Sequence, residues 1–180
     1  MSVRRLNRVP IVILTGVENA GKTTLAQGLA TALHWDLMPE AARSDRKVRD
    51  GTVNGEHLQH MLEGFSQRLS KLLTHAQNGI VCDTGGLVLD IWARHAFGEE
   101  LTGVKTVMQR ADLHMLCHTL PDWEPDPLRT LPLHADRLAL EASYRERLNQ
   151  GGIAFCELAP MGQHERLEHA VHSIRQHCVL

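Results

Sequence analysis

The stretch Val9-Pro10-Ile11-Val12-Ile13-Leu14-Thr15-Gly16-Val17-Glu18-Asn19-Ala20-Gly21-Lys22-Thr23-Thr24 decides how the rest of the chain is read. Val9 to Leu14 is an apolar run of strand length, and Gly21 to Leu33 carries apolar residues at the helical period. Between them lies G-x-x-x-x-G-K-T, from Gly16 to Thr23. In such a loop the glycines let the backbone turn tightly and present successive N–H groups to a polyphosphate, while the following helix aims its positive end at the same charge. The expected cradle comprises Gly16, Glu18, Asn19, Ala20, Gly21, Lys22, Thr23 and Thr24. Lys22 would reach the outer phosphates, and the Thr23 hydroxyl would ligate Mg²⁺.

Four further apolar runs follow: Trp35 to Met38, Gly79 to Cys82, Leu113 to Cys117, and Ile153 to Leu158. They alternate with amphipathic segments at Glu56 to Gln77, Leu87 to Phe97, His134 to Asn149 and Gln163 to His177. Strict strand–helix alternation requires crossover connections. It therefore predicts a doubly wound α/β fold, with a mostly parallel five-stranded sheet covered by helices on both faces. Two segments break the pattern. Glu40 to Gly55, with Arg43, Arg46, Lys47 and Arg49, reads as an exposed, mobile loop. Pro121 to Pro132, with four prolines around Trp123, Glu124, Asp126 and Arg129, cannot be regular helix or central strand and reads as a flap. A lid over about residues 121–137 is expected, with Arg129 and then Arg137 as its cations.

The length of 180 residues predicts one domain, residues 1–180. With 19 Lys plus Arg against 21 Asp plus Glu, the net charge of -2 supplies no global positive field, so a nucleic acid partner is not expected. At 43% hydrophobic and 22% charged residues the chain can bury a core, which excludes disorder as its main state. Its apolar run at Ile11 to Leu14 is too short for a membrane span, and no membrane partner is expected. Cys82, Cys117, Cys156 and Cys178 stand far apart without a C-x-x-C pair, and read as reduced thiols of a cytoplasmic protein. His164, His169, His172 and His177 read as a solvated helix face, and Arg4, Arg5 and Arg8 as a short disordered lead. Self-association into a homo-oligomer is left open.

Asp83 ends the third apolar run, and in folds of this kind such a carboxylate lies beside the metal held by the loop threonine. It is a candidate Mg²⁺ partner, or a base for an attacking hydroxyl. Asp83-Thr84-Gly85-Gly86 also fits the D-x-x-G of GTP-driven switches. However, none of Lys22, Lys47, Lys71 and Lys105 has an Asp two residues later, so the N-K-x-D guanine-reading pattern is missing.

An ordered set of motifs resembles the nicotinamide riboside kinase domain of NadR-type proteins, a branch of the P-loop small-molecule kinases grouped with AAA-like ATPase domains. The set is G-x-E-x-x-G-K-T-T-L at Gly16 to Leu25, P-E-x-A-R at Pro39 to Arg43, C-D-T at Cys82 to Thr84, W-x-x-x-x-F-G at Trp92 to Gly98, D-L-x-x-L at Asp112 to Leu116 and W-x-x-D-x-L-R at Trp123 to Arg129. The resemblance implies a P-loop NTPase fold, ATP and Mg²⁺ as cofactors, and a nucleoside-like acceptor phosphorylated on a hydroxyl. It implies that Lys22, Asp83 and Arg129 carry catalysis, and that Glu40, Arg43 and Asp83 line the acceptor site. Two positions differ from the family pattern: Gly85 stands in place of a second Asp, and Ala41 in place of an aromatic. Asp90, a possible substitute for the missing carboxylate, reads as facing solvent. The alternative expectation is a nucleotide-dependent regulatory module without an acceptor.

Overall fold

The computed structural model describes residues 9–178; the expectation for Arg4, Arg5 and Arg8 lies outside them. The central strand β1 (Ile11–Thr15) is buried at every position. It pairs in parallel with β3 (Ile80–Asp83) on one side and β4 (Leu113–Cys117) on the other. β2 (Asp36–Met38) and β5 (Phe155–Leu158) complete a wholly parallel sheet of order β2-β3-β1-β4-β5. Strands buried on both faces read as continuous apolar runs, which is why β1, β3 and β4 are conspicuous in the sequence. β2 and β5, at the edges, are half-buried and shorter than their sequence runs.

Helix α1 (Lys22–Leu33) follows β1, and a 3-10 turn (Ala42–Ser44), α2 (Arg46–Arg49) and the long α3 (Gly55–Leu73) lie between β2 and β3. Then come α4 (Gly86–Phe97), α5 (Val104–Met108), α6 (His134–Gly151) and α7 (Gln163–His177). α1 packs on α7, while α3, α5 and α6 group around α4, giving a helical layer on each side of the sheet. Leu58, Leu62, Phe65 and Leu69 make one buried stripe along α3, the spacing of an amphipathic helix.

The Glu40 to Gly55 stretch is more ordered than its composition suggests. Asp45 accepts from Val48 N at 3.0 Å and so caps α2, while its carboxylate also meets His57 Nε2 on α3 at 3.0 Å. Local side-chain capping, which hydropathy does not register, thus folds a polar segment. Helix α5 is likewise missed by periodicity because it is a single short turn, yet Val104, Val107 and Met108 are buried. Pro121 to Pro132 has neither helix nor strand, as expected. No described helix is long and apolar enough to cross a membrane.

Two polar residues have environments that the sequence does not disclose. His114 is fully buried, its Nε2 3.0 Å from Met108 O, and burial pushes its pKa down to about 4, so the ring is neutral. Asp90, expected to face solvent, is instead fully buried. Its carboxylate accepts from Leu101 N at 3.1 Å and pairs with Arg94 Nε at 3.1 Å and Arg147 Nη2 at 2.9 Å. α4 carries apolar residues nearly all round, so the face bearing Asp90 meets α6 and the chain near Leu101. Removing one member of such a set strands the others. Asp90→Ala should therefore cost about 3 kcal/mol of unfolding free energy, read from urea melts; a loss below about 1 kcal/mol would mean that the set adds little.

Candidate functional site

The carboxyl ends of β1, β3 and β4 open on one side of the sheet, where ligands bind in open α/β folds. Gly16, at φ +132°, lies so close to β4 that a Cβ would stand 2.4 Å from Cys117 O, and Gly21, at φ +67°, ends the loop where α1 begins. No side chain caps the N-terminus of α1, so its first-turn N–H groups face outward with the helix dipole behind them. Lys22 Nζ folds back over the loop, donating to Gly16 O at 2.9 Å and Val17 O at 2.6 Å. Burial lowers the Lys22 pKa, opposed by the charges of Glu40, Cys117, Asp83 and Glu18.

Asp83 closes β3 opposite Leu14 of β1 and is nearly buried. Burial raises its pKa, while the Thr23 hydroxyl, Lys22 and Arg43 pull it back; its Oδ1 has no hydrogen-bond partner. Thr84, the next residue, sits at φ 77° with its buried hydroxyl toward the Glu40 carboxylate. A β-branched residue in the left-handed region carries about 1–3 kcal/mol of strain. Gly85 follows, where an added Cβ would lie 2.6 Å from Ile13 Cγ2, and at Gly86 one would lie 2.6 Å from Leu62 Cδ1. The packing of Ile13 of β1 and Phe65 of α3 against this turn thus leaves no space for a side chain at position 85.

These groups line one cavity of about 930 Å³, near the upper end of the roughly 300–1,000 Å³ common for small-molecule sites. One half lies over the loop, with Leu120, Met161, Gln163, Arg166 and Leu167 beyond Thr23 and Thr24. The other lies between α3 and α4, with Met61, Phe65, Val88, Leu89, Trp92 and Phe97 as an apolar wall and Arg49 and Arg68 at its polar edge. Glu40, Arg43 and Asp83 line the cavity as well, with Glu40 and Asp83 close enough to Lys22 to act on its charge. The structure therefore brings Lys22, Thr23, Asp83, Glu40 and Arg43 together around one cavity. It adds Arg68 and Arg166, which helical periodicity files under solvent-facing positions. Arg166 is nearly buried and donates to Ala20 O at 2.8 Å, bracing the loop from α7.

The 121–132 flap is held against the loop. Glu18 Oε1 accepts from Thr130 N at 2.7 Å and from Leu131 N at 2.5 Å, and Arg129 Nη1 donates to Asn19 Oδ1 at 2.9 Å. Asn19 Nδ2 in turn donates to Asp122 O, and Arg43 Nη1 donates to Asp126 Oδ2 at 3.0 Å. The side chains of Glu18 and Asn19 are thus committed to the flap, leaving only their backbone for an anion. Arg137, expected as a second lid cation, has a different place. Fully buried, it donates to the carbonyls of Leu120, Pro121, Leu131 and Pro132 and to Thr119 Oγ1, with its guanidinium 4.9 Å from the Trp123 ring. Proline-rich loops lack N–H donors and leave carbonyls to satisfy; Arg137 satisfies them and closes the neck of the flap.

Glu40 has the electrostatics to test this description. Burial raises its pKa, with Asp83 pushing the same way and Lys22 and Arg43 opposing. The folded state therefore holds the proton more tightly than the unfolded one, and stability falls as pH rises through the carboxylate range. Glu40→Gln should raise the melting temperature at pH 7, and the gain should shrink at pH 4; an equal gain at both values would contradict the assigned cause.

Comparisons with known proteins agree with this architecture. A family model described as an AAA domain matches residues 11–166. None of the curated proteins matches the chain in sequence. Among solved structures, a NadR protein in complex with NR superposes with a TM-score of 0.77 at 20% identity, covering 96% of this chain and 52% of that one. The chain therefore spans about half the length of that NadR protein. A deoxyadenosine kinase from M. mycoides with bound dATP gives a TM-score of 0.69 at 14% identity, covering 92% of this chain and 99% of that one. Thymidylate kinase from Candida albicans gives 0.66 at 15% identity, covering 94% and 92%. At such identities the likeness is one of fold, that of the P-loop kinases. The family match, which takes in all five strands and the loop between β1 and α1, shows that this chain belongs to the AAA-domain family.

Proposed function

We propose that the chain is an ATP-dependent kinase that transfers a phosphoryl group to a hydroxyl of a small nucleoside-like acceptor, nicotinamide riboside or a related riboside. The observation that carries this reading is the joining, within one cavity, of an anion cradle, two carboxylates and a second compartment with an apolar wall. A nucleotide switch without an acceptor needs only the first half. Likeness in fold to a NadR protein in complex with NR and to a deoxyadenosine kinase supports the acceptor class.

In this reading the loop N–H groups and Lys22 bind the β- and γ-phosphates of ATP, with Lys22 exchanging its two carbonyl contacts for phosphate oxygens. The Thr23 hydroxyl and the Asp83 carboxylate, with its unpartnered buried Oδ1, are a hard oxygen donor set that fits Mg²⁺. When bound, that ion supplies charge neutralisation on the polyphosphate. Asp83 lines the same cavity, and its alternative role is as the base that accepts the proton of the attacking hydroxyl. Glu40 and Arg43 offer an acceptor and a donor to the riboside, and Arg129 brings positive charge from the flap toward the transferred group.

Lys22→Ala should leave the fold unchanged by circular dichroism and lower transfer at least about a hundredfold. Wild-type enzyme with MgATP should release ADP faster when nicotinamide riboside or another nucleoside is added. If no acceptor in a panel of ribosides and deoxyribosides stimulates release, the regulatory ATPase reading replaces this one.

A further inference from the structure

The four positions between Gly16 and Gly21 include a carboxylate, which is poorly placed beside a polyphosphate unless something occupies it. The structure shows the occupant. Both N–H groups offered to Glu18 come from Thr130 and Leu131, next to Arg129 in the flap. Asn19, in the left-handed conformation at φ 56° and almost buried, makes a second tie by accepting from Arg129 and donating to Asp122 O. The two contacts span the flap from its first residues to its last. Their counterpart at the neck is Arg137, whose contacts with Leu120, Pro121, Leu131 and Pro132 hold the two ends of the flap together without reaching the loop. The neck holds the ends of the flap together, Arg43 meets it at Asp126, and Glu18 and Asn19 tie it to the phosphate loop itself.

We propose that Glu18 and Asn19 are positioning residues that register the flap, and with it Arg129, on the phosphate loop, so that Arg129 lies over the transferred phosphoryl and water is kept from it. The inference rests on the kinase reading above. Both side chains project from the loop that cradles the phosphates, so the backbone that seats the nucleotide also places the flap. A carboxylate satisfied by two backbone N–H groups makes a charge-assisted contact stronger than a neutral pair. An excluded site matters here because water competes with the acceptor hydroxyl for the phosphoryl group.

Amide hydrogen exchange of the full chain tests the tether directly. In Glu18→Ala the amides of residues 129–131 should exchange about tenfold faster than in wild type, with peptides of α3 unchanged. Glu18→Gln, which keeps an accepting oxygen, should restore most of the protection. With MgATP and an active riboside, Glu18→Ala should form less phosphorylated product per ADP released, and Glu18→Gln should recover the ratio. Unchanged exchange in Glu18→Ala, or faster exchange with an unchanged product-to-ADP ratio, would overturn the proposal. Should Glu18→Ala not fold, Asn19→Gly, which suits the left-handed backbone, is read in the same way over residues 122–129. If wild type itself transfers to no acceptor, the kinase reading fails, and with it the reaction role, whereas the exchange result still decides whether the tether exists.

Discussion

Everything in this molecule is arranged around one close approach, that of the Gly16 backbone to the Cys117 carbonyl at the end of β4. No side chain can be interposed there, so the chain leaving β1 is pressed against the neighbouring strand and must turn at once into α1. The turn gathers unspent N–H groups and the positive end of a helix at a single point. The strands around it are buried on both faces, which makes that point rigid.

Fixing positive charge in this way requires compensation, and the surroundings of Lys22 supply it. Asp83 and Glu40 are both raised by burial, and both are drawn back by Lys22 and Arg43. A mixed set of half-satisfied charges contributes little to stability. It is poised for a ligand that brings its own negative charge and its own hydrogen-bonding groups. The strained Thr84 and the cramped Gly85 belong to the same wall, where packing of Ile13 and Phe65 dictates backbone shape before any side chain can choose it.

The flap shows a division of labour among its arginines that residue type does not reveal. Arg137 and Arg129 are eight residues apart, and both lie near the Trp123 ring. Arg137 is consumed by carbonyls that the prolines leave without local donors, whereas Arg129 reaches Asn19 and lines the cavity. Similarly, Arg43, which lines the cavity, is joined to the flap through Asp126. The flap is thereby joined to the site through Asn19 and through Arg43.

The sequence by itself determined the five strands, their parallel sheet, the loop after β1 and the longer helices, because continuous apolar runs and helical spacing are local properties. It also singled out Lys22 and Thr23, at the start of the helix that follows β1, and Asp83, at the end of β3. It left unseen the burial of Asp90, the neck formed by Arg137, the bracing by Arg166 and the commitment of Glu18 to the flap. Each of these depends on a partner far along the chain: Arg147 for Asp90, Leu120 for Arg137, Ala20 for Arg166, Thr130 for Glu18. A polar side chain has the same local signature whether water or a distant backbone group satisfies it, so only the tertiary structure could decide which.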